Sequence, residues 1–136
     1  CVPCITIHAE TREVNMFAFM NAESLGLTIS SSLAHYWSRS RQKLWKKGET
    51  SGMLQHVHRM LIDDDQDCVI IEVTLTPPSS GGSESSCHVG YRSCFYRSIP
   101  LGKIINTNKI EMEFKEKKKI FDPAVVYKDE PNPTKL

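Results

Sequence analysis

Long apolar runs are missing from this chain. The longest, from Met16 to Met20, covers five residues, against the roughly twenty that a membrane-crossing helix needs, so a soluble protein with no membrane partner is expected. Charge of one sign is missing as well: 17 Lys and Arg face 16 Asp and Glu, for a formal net charge of +1. Such a chain has no bulk field to hold a long polyanion, which argues against a nucleic-acid partner and makes any anion binding local. Cysteine is sparse and odd in number, five in 136 residues. That excludes the disulfide framework of small secreted domains and points to a reducing compartment, the cytoplasm. No basic-then-apolar segment with a small-residue cleavage site follows Cys1, so no signal peptide is expected. The length leaves room for one compact domain and excludes a two-domain enzyme.

What is present is a succession of short periodic segments. Residues 1–20, with Ile5, Ile7, Val14 and Met16 loosely alternating around Glu10-Thr11-Arg12-Glu13, read as a β-hairpin. Asn21 suits the N-cap of a helix over 22–32, in which Leu25, Ile29 and Leu33 recur at helical spacing. From Val69 to Thr76 the chain alternates, with Ile71, Val73 and Leu75 on one face and Glu72, Thr74 and Thr76 on the other, as in a half-buried strand. The run PPSSGGSESS at 77–86 has the composition of a flexible surface loop. Lysine-rich residues 103–120 read as edge strands, and 128–136 as a loose tail after a domain of residues 1–127.

Three stretches carry chemistry. If HYWSRSRQKLWKK (35–47) is extended, its period of two puts Trp37, Arg39, Arg41, Lys43 and Trp45 on one cationic, aromatic face, suited to a phosphorylated, ring-containing ligand. The plain alternative is an exposed strand with solvated charges. The block IDDDQD places four carboxylates, Asp63, Asp64, Asp65 and Asp67, in five positions. It fails as a calcium loop, because Cys68 stands where glycine is needed, and Mg²⁺ is the remaining hard cation. In a straight strand Asp63 and Asp67 would be about 13 Å apart, so one ion requires a bend or bridging waters. In CHVGYRSC, a two-residue turn at Gly90-Tyr91 would set Cys87 opposite Cys94, close enough to share Zn²⁺. A disulfide or two buried thiols are the alternatives. A third ligand is open among Asp64, Cys68, His88 and the Cys1-x-x-Cys4 pair. His88 points to the other strand face and suits proton transfer better than ligation, and His56 and His58 are a further alternating pair.

The blocks MFAFMNAESL with HYWSRSRQKLWKKGETSG, then IDDDQD, then CHVGYRSCFYR, taken in this order, resemble the phosphoribosyl-AMP cyclohydrolase family, and FDPAVVY resembles that family's usual ending. The resemblance implies an α+β fold, predominantly antiparallel β with one principal helix, assembled as an intertwined homodimer whose zinc sites draw ligands from both chains. It implies hydrolytic opening of the adenine ring of 1-(5-phosphoribosyl)-AMP at the N1–C6 bond by a zinc-activated water, a step of L-histidine biosynthesis. It also implies Mg²⁺ at Asp63, Asp65 and Asp67, and Zn²⁺ at Cys87 and Cys94. The family's third zinc cysteine falls at Asp64, so Asp64 is the expected substitute, with Cys68 the alternative. Met53 stands where many relatives carry histidine, and the 77–86 run looks like a lineage insertion. By chemistry and motif, His88 would shuttle protons, Arg39, Arg41, Lys47, Thr50 and Ser51 would hold phosphates and ribose, and Trp37 would stack on the purine. Two rivals remain at this point, a zinc-stabilised nucleic-acid module and a Mg²⁺-dependent phosphohydrolase.

Overall fold

The computed structural model describes residues 1–77, 84–102, 109–116 and 118–127. The expected tail, most of the expected flexible loop and residues 103–108 and 117 of the expected edge strands lie outside them. The first hairpin forms as its alternation predicts: β1 (Val2–His8) pairs antiparallel with β2 (Val14–Met20). Asn21 then starts α1 (Ala22–Ser31) through reciprocal capping, in which Asn21 Oδ1 accepts from Ser24 N–H and Ser24 Oγ from Asn21 N–H, both at 2.9 Å. Ser32, left-handed at φ 57°, ends it.

The helix buries a different stripe from the one its apolar spacing predicts. Ile29 is 65% exposed, while Ser24 and Thr28 are buried. The physical reason is hydrogen bonding: Thr28 Oγ1 donates to the Ser24 carbonyl at 2.8 Å and accepts from His35 N–H at 2.9 Å, tying the helix to the next strand.

That strand corrects a second expectation. Residues 35–47 are not one extended face but a hairpin, β3 (His35–Ser38) and β4 (Lys43–Lys46), with Tyr36 opposite Trp45 and Trp37 opposite Leu44. Opposed residues share a face and neighbours along a strand do not, so Trp37 and Trp45 lie on opposite sides. Tyr36 and Trp45 turn inward, with ring centroids 4.9 Å apart.

The second long hairpin, β5 (Gln55–Ile62) with β6 (Val69–Leu75), docks on the first through a parallel seam between β1 and β6, which gives the order β2-β1-β6-β5. The other strand pairs among the described residues are antiparallel, including the short β7 (Arg97–Ser98) and β8 (Glu113–Phe114). The core lies on one face of the sheet, where Cys4, Met16, Met20, Val69, Ile71, Val73 and Leu75 meet Ala34 and Tyr36. Within it Tyr36 Oη is hydrogen-bonded to Thr6 Oγ1 at 2.8 Å and donates to Gln55 Oε1 at 2.5 Å. The inward set of β6 is as predicted, but Glu72, expected on the solvent face, is buried beneath Arg12 and Arg59, which both pair with its carboxylate. The last element is α2 (Pro123–Val126).

Candidate active site

The acidic block is the tight connection between β5 and β6. Asp63 Oδ1 accepts from the Asp67 and Cys68 N–H groups, each at 3.0 Å, and Gln66 adopts φ 62°. This bend removes the separation that a straight strand would impose. The carboxylate oxygens of Asp63, Asp65 and Asp67 come within 4.8 Å of one another, all exposed. The Cys68 N–H holds the Asp63 carboxyl below its ordinary value, while the hydrogen bond with Asp63 raises that of Asp67. Three hard oxygens around shared negative charge suit a hard divalent cation.

The cysteine cluster is built by the loop 84–94. Its turn runs from the Cys87 carbonyl to the Gly90 N–H at 3.0 Å, with Gly90 at φ 106°, rather than over Gly90-Tyr91 between two strands as expected. The Ser86 N–H donates to the Arg92 carbonyl at 3.0 Å and the Cys94 N–H to the Asn15 carbonyl at 2.8 Å, which brings the loop back on itself and onto β2. The result still puts the two sulfurs within reach of each other, and both are free thiols. Their mutual interaction pulls the Cys87 thiol well below its ordinary value and pushes Cys94 well above it, while the Cys94 thiol donates to the Ser86 carbonyl oxygen at 3.7 Å.

Composition hid how firmly this loop is held. Ser85 and Ser86, read as flexible surface, are buried. The Ser85 hydroxyl faces the Cys87 and Tyr91 carbonyls, and Gln55 Nε2 donates to Ser86 Oγ at 3.4 Å. Lys47, expected at a phosphate, is buried too; its Nζ donates to the Ser86 carbonyl at 2.9 Å. Burial lowers the Lys47 pKa, and the nearby Cys94 and Cys87 oppose that shift. Half-buried His88 is pushed below the ordinary imidazole value by burial and by Lys47, which favours the neutral ring.

The remaining predicted residues fall around these two groups. Arg39 lies 3.6 Å over the Phe19 ring, Arg41 Nε donates to Ser38 Oγ at 3.2 Å, and Trp37 is half-buried. Thr50 is exposed, whereas Ser51 is buried and accepts from the Met53 N–H at 3.1 Å. Sequence reasoning gave no site role to Tyr127, which is half-buried and whose pKa burial raises. Cys4 is buried in the core and Cys1 is exposed, so they form no pair. His56 and His58 are taken up by Thr76 and Thr74, at 2.8 and 2.7 Å. Among the described residues the acidic trio is the one cluster of three metal-binding side chains; neither Asp64 nor Cys68 joins Cys87 and Cys94 within the chain.

A family model described as phosphoribosyl-AMP cyclohydrolase matches residues 16–96, which contain both the acidic turn and the thiol pair. The chain belongs to the phosphoribosyl-AMP cyclohydrolase family. Relatives carrying that name include one from Methanococcoides burtonii, 52% identical over 86% of this chain and 81% of its own. Another, from Methanocella arvoryzae, is 49% identical over 94% of this chain and 92% of its own. A third, from a Caulobacter species, is 54% identical over 76% and 74%. The chain is accordingly an enzyme of the cyclohydrolase family. No helix among its described residues is long and apolar enough to cross a membrane.

Proposed function

We propose that the chain hydrolyses 1-(5-phosphoribosyl)-AMP at the N1–C6 bond, opening the adenine ring in a step of L-histidine biosynthesis, and that it does so as a homodimer with Zn²⁺ and Mg²⁺ as cofactors. The observation that carries this reading is the free thiol pair Cys87–Cys94, with Lys47 and His88 beside it. Two sulfurs, one readily deprotonated, suit a borderline-soft ion, and a carboxylate is an accepted third zinc donor. Cys87 and Cys94 would hold Zn²⁺ with Asp64 of the partner subunit, and Asp63, Asp65 and Asp67 would hold Mg²⁺. Zinc bound there supplies the Lewis acidity that makes water nucleophilic near neutral pH.

The chain's own groups do the rest. His88, kept neutral, takes a proton from the attacking water and returns it to the departing N1. Lys47 balances the charge of the thiol pair. Trp37 walls the purine, while Arg39, Arg41, Thr50 and Ser51 receive ribose and phosphate oxygens.

An uncovered sheet face supports the homodimer. Registers across all four strands align Phe17, Ile5, Ile70 and Leu61 in one apolar row, with Phe17 48% and Leu61 39% exposed. A row of this kind fits burial against a second copy. The five free thiols suit the reducing cytoplasm, where we place the enzyme.

The test is direct. Phosphoribosyl-AMP incubated with the protein should show the ultraviolet change of ring opening without release of phosphate, and a chelator should stop it. Cys94→Ser should lose zinc and turnover together while remaining folded; full activity in that variant would refute the reading. Asp64→Ala should lower zinc content while Cys68→Ala leaves it unchanged, and the reverse would reassign the third ligand.

A further inference from the structure

The Cys94 end of the cysteine loop is held by a side chain from beyond the span that the family model matches, residues 16–96. Glu116 follows β8, where the Lys115 N–H donates to the Tyr96 carbonyl at 2.7 Å and the Glu116 N–H to the same oxygen at 3.4 Å. Its carboxylate thereby meets the two residues that precede Cys94. Glu116 Oε1 accepts from the Arg92 N–H at 3.2 Å and from Arg92 Nε at 3.1 Å, and Oε2 accepts from the Ser93 N–H at 3.2 Å. Ser93 is 3% exposed, so its N–H has little water to turn to.

The rest of this arm is fixed by β2. The Cys94 N–H donates to the Asn15 carbonyl, and Ser93 Oγ donates to the Val14 carbonyl at 2.6 Å. Cys87 is set differently, from within the loop, where Ser85 Oγ accepts from its N–H at 3.2 Å. Two sulfurs on one ion must sit within a few tenths of an ångström of their bonding distances, so the backbone leading into Cys94 has to be rigid. A carboxylate gripping two successive N–H groups is a charge-assisted brace of that kind. The Arg92 guanidinium also reaches Glu13, at 3.3 Å, and can be removed without touching either N–H group.

We propose that Glu116 is a positioning residue for the zinc centre, its carboxylate fixing the Arg92–Ser93 backbone and so setting Cys94 against Cys87. The inference rests on the zinc site proposed above. Glu116→Ala removes the acceptors, Glu116→Gln keeps one carbonyl oxygen, and Arg92→Ala removes the guanidinium alone. In chelator competition, Glu116→Ala should bind Zn²⁺ roughly 10- to 100-fold more weakly than wild type, with Glu116→Gln between the two and Arg92→Ala close to wild type. Mg²⁺ affinity should not change in Glu116→Ala. In metal-free protein, amide hydrogen exchange at Arg92 and Ser93 should quicken in that variant. Wild-type zinc affinity in Glu116→Ala would overturn the proposal. So would an equal loss in Arg92→Ala, which would assign the effect to the ion pair, or a parallel loss of Mg²⁺ binding, which would make Glu116 a support of the whole fold. A wild-type protein that binds no zinc would overturn the zinc site itself, while exchange would still read whether Glu116 holds the backbone, so the two failures are distinguishable.

Discussion

Lys47 Nζ donates to the Ser86 carbonyl oxygen at 2.9 Å, and this bond pins a buried ammonium beside Cys87 and Cys94. The positive charge favours the Cys87 thiolate and disfavours protonated His88. Lys47→Met should therefore move both titrations upward. In metal-free protein, the thiolate absorbance of buried Cys87 should titrate at higher pH in the variant. Cys4, pushed up to about 12 by burial, should stay protonated in both proteins and serves as the internal control. In the loaded enzyme the acid limb of kcat/KM should lie below the ordinary histidine value of 6.5 and move up in the variant.

The acidic turn separates ligation from folding. Asp63 caps backbone N–H groups, but Asp65 has no such bond. Asp65→Asn should weaken Mg²⁺ binding by an order of magnitude or more in calorimetric titration, with little change in Tm. Equal affinity in the two proteins would remove the trio as a cation site.

Glu72 makes stability depend on pH. Arg59 and then Arg12 hold its carboxyl at about 2, against an ordinary 4.5. A carboxyl lowered by folding contributes stability above its unfolded pKa and loses it as pH falls toward the folded one. Glu72→Gln should melt roughly 3 °C lower than wild type at pH 7. The gap should hold down to about pH 5 and close between 4.5 and 2.

Inside the core, Tyr36→Phe would strip both Thr6 Oγ1 and Gln55 Oε1 of a partner in a fully buried setting. Buried polar atoms left unsatisfied cost about 1–3 kcal/mol each, so urea unfolding should show a loss in that range with an unchanged m value.

What was legible in the sequence followed from local rules. Alternation marked β1, β2 and β6, Asn21 marked the start of α1, and the carboxylate spacing needed only the bend that the β5–β6 turn provides. The break between β3 and β4 was not legible, because Arg39–Gln42 holds neither glycine nor proline and turns instead on Gln42 at φ 49°. Ser85 and Ser86 read as solvent-exposed because serine usually is; Ser86 is held by partners 30 and more residues away, Gln55 and Lys47, and Ser85 by the carbonyls of a turn that composition does not reveal, those of Cys87 and Tyr91. The same limit applied to Lys47, whose charge was plain and whose burial was not. The FDPAVVY run was legible only as a family ending; that it packs on the cysteine loop depends on the backbone contact of Ile120 with Gly90.

The seam between β1 and β6 governs how this chain assembles. Each of the two long ribbons closes on itself through a short reversal and is free to zip early, but the line from Cys4–Val69 to His8–Val73 joins residues about sixty-five positions apart. Entropy of so wide a closure makes ribbon docking the slow event. Substitutions along that line should thus slow refolding more than those confined to either ribbon's outer edge.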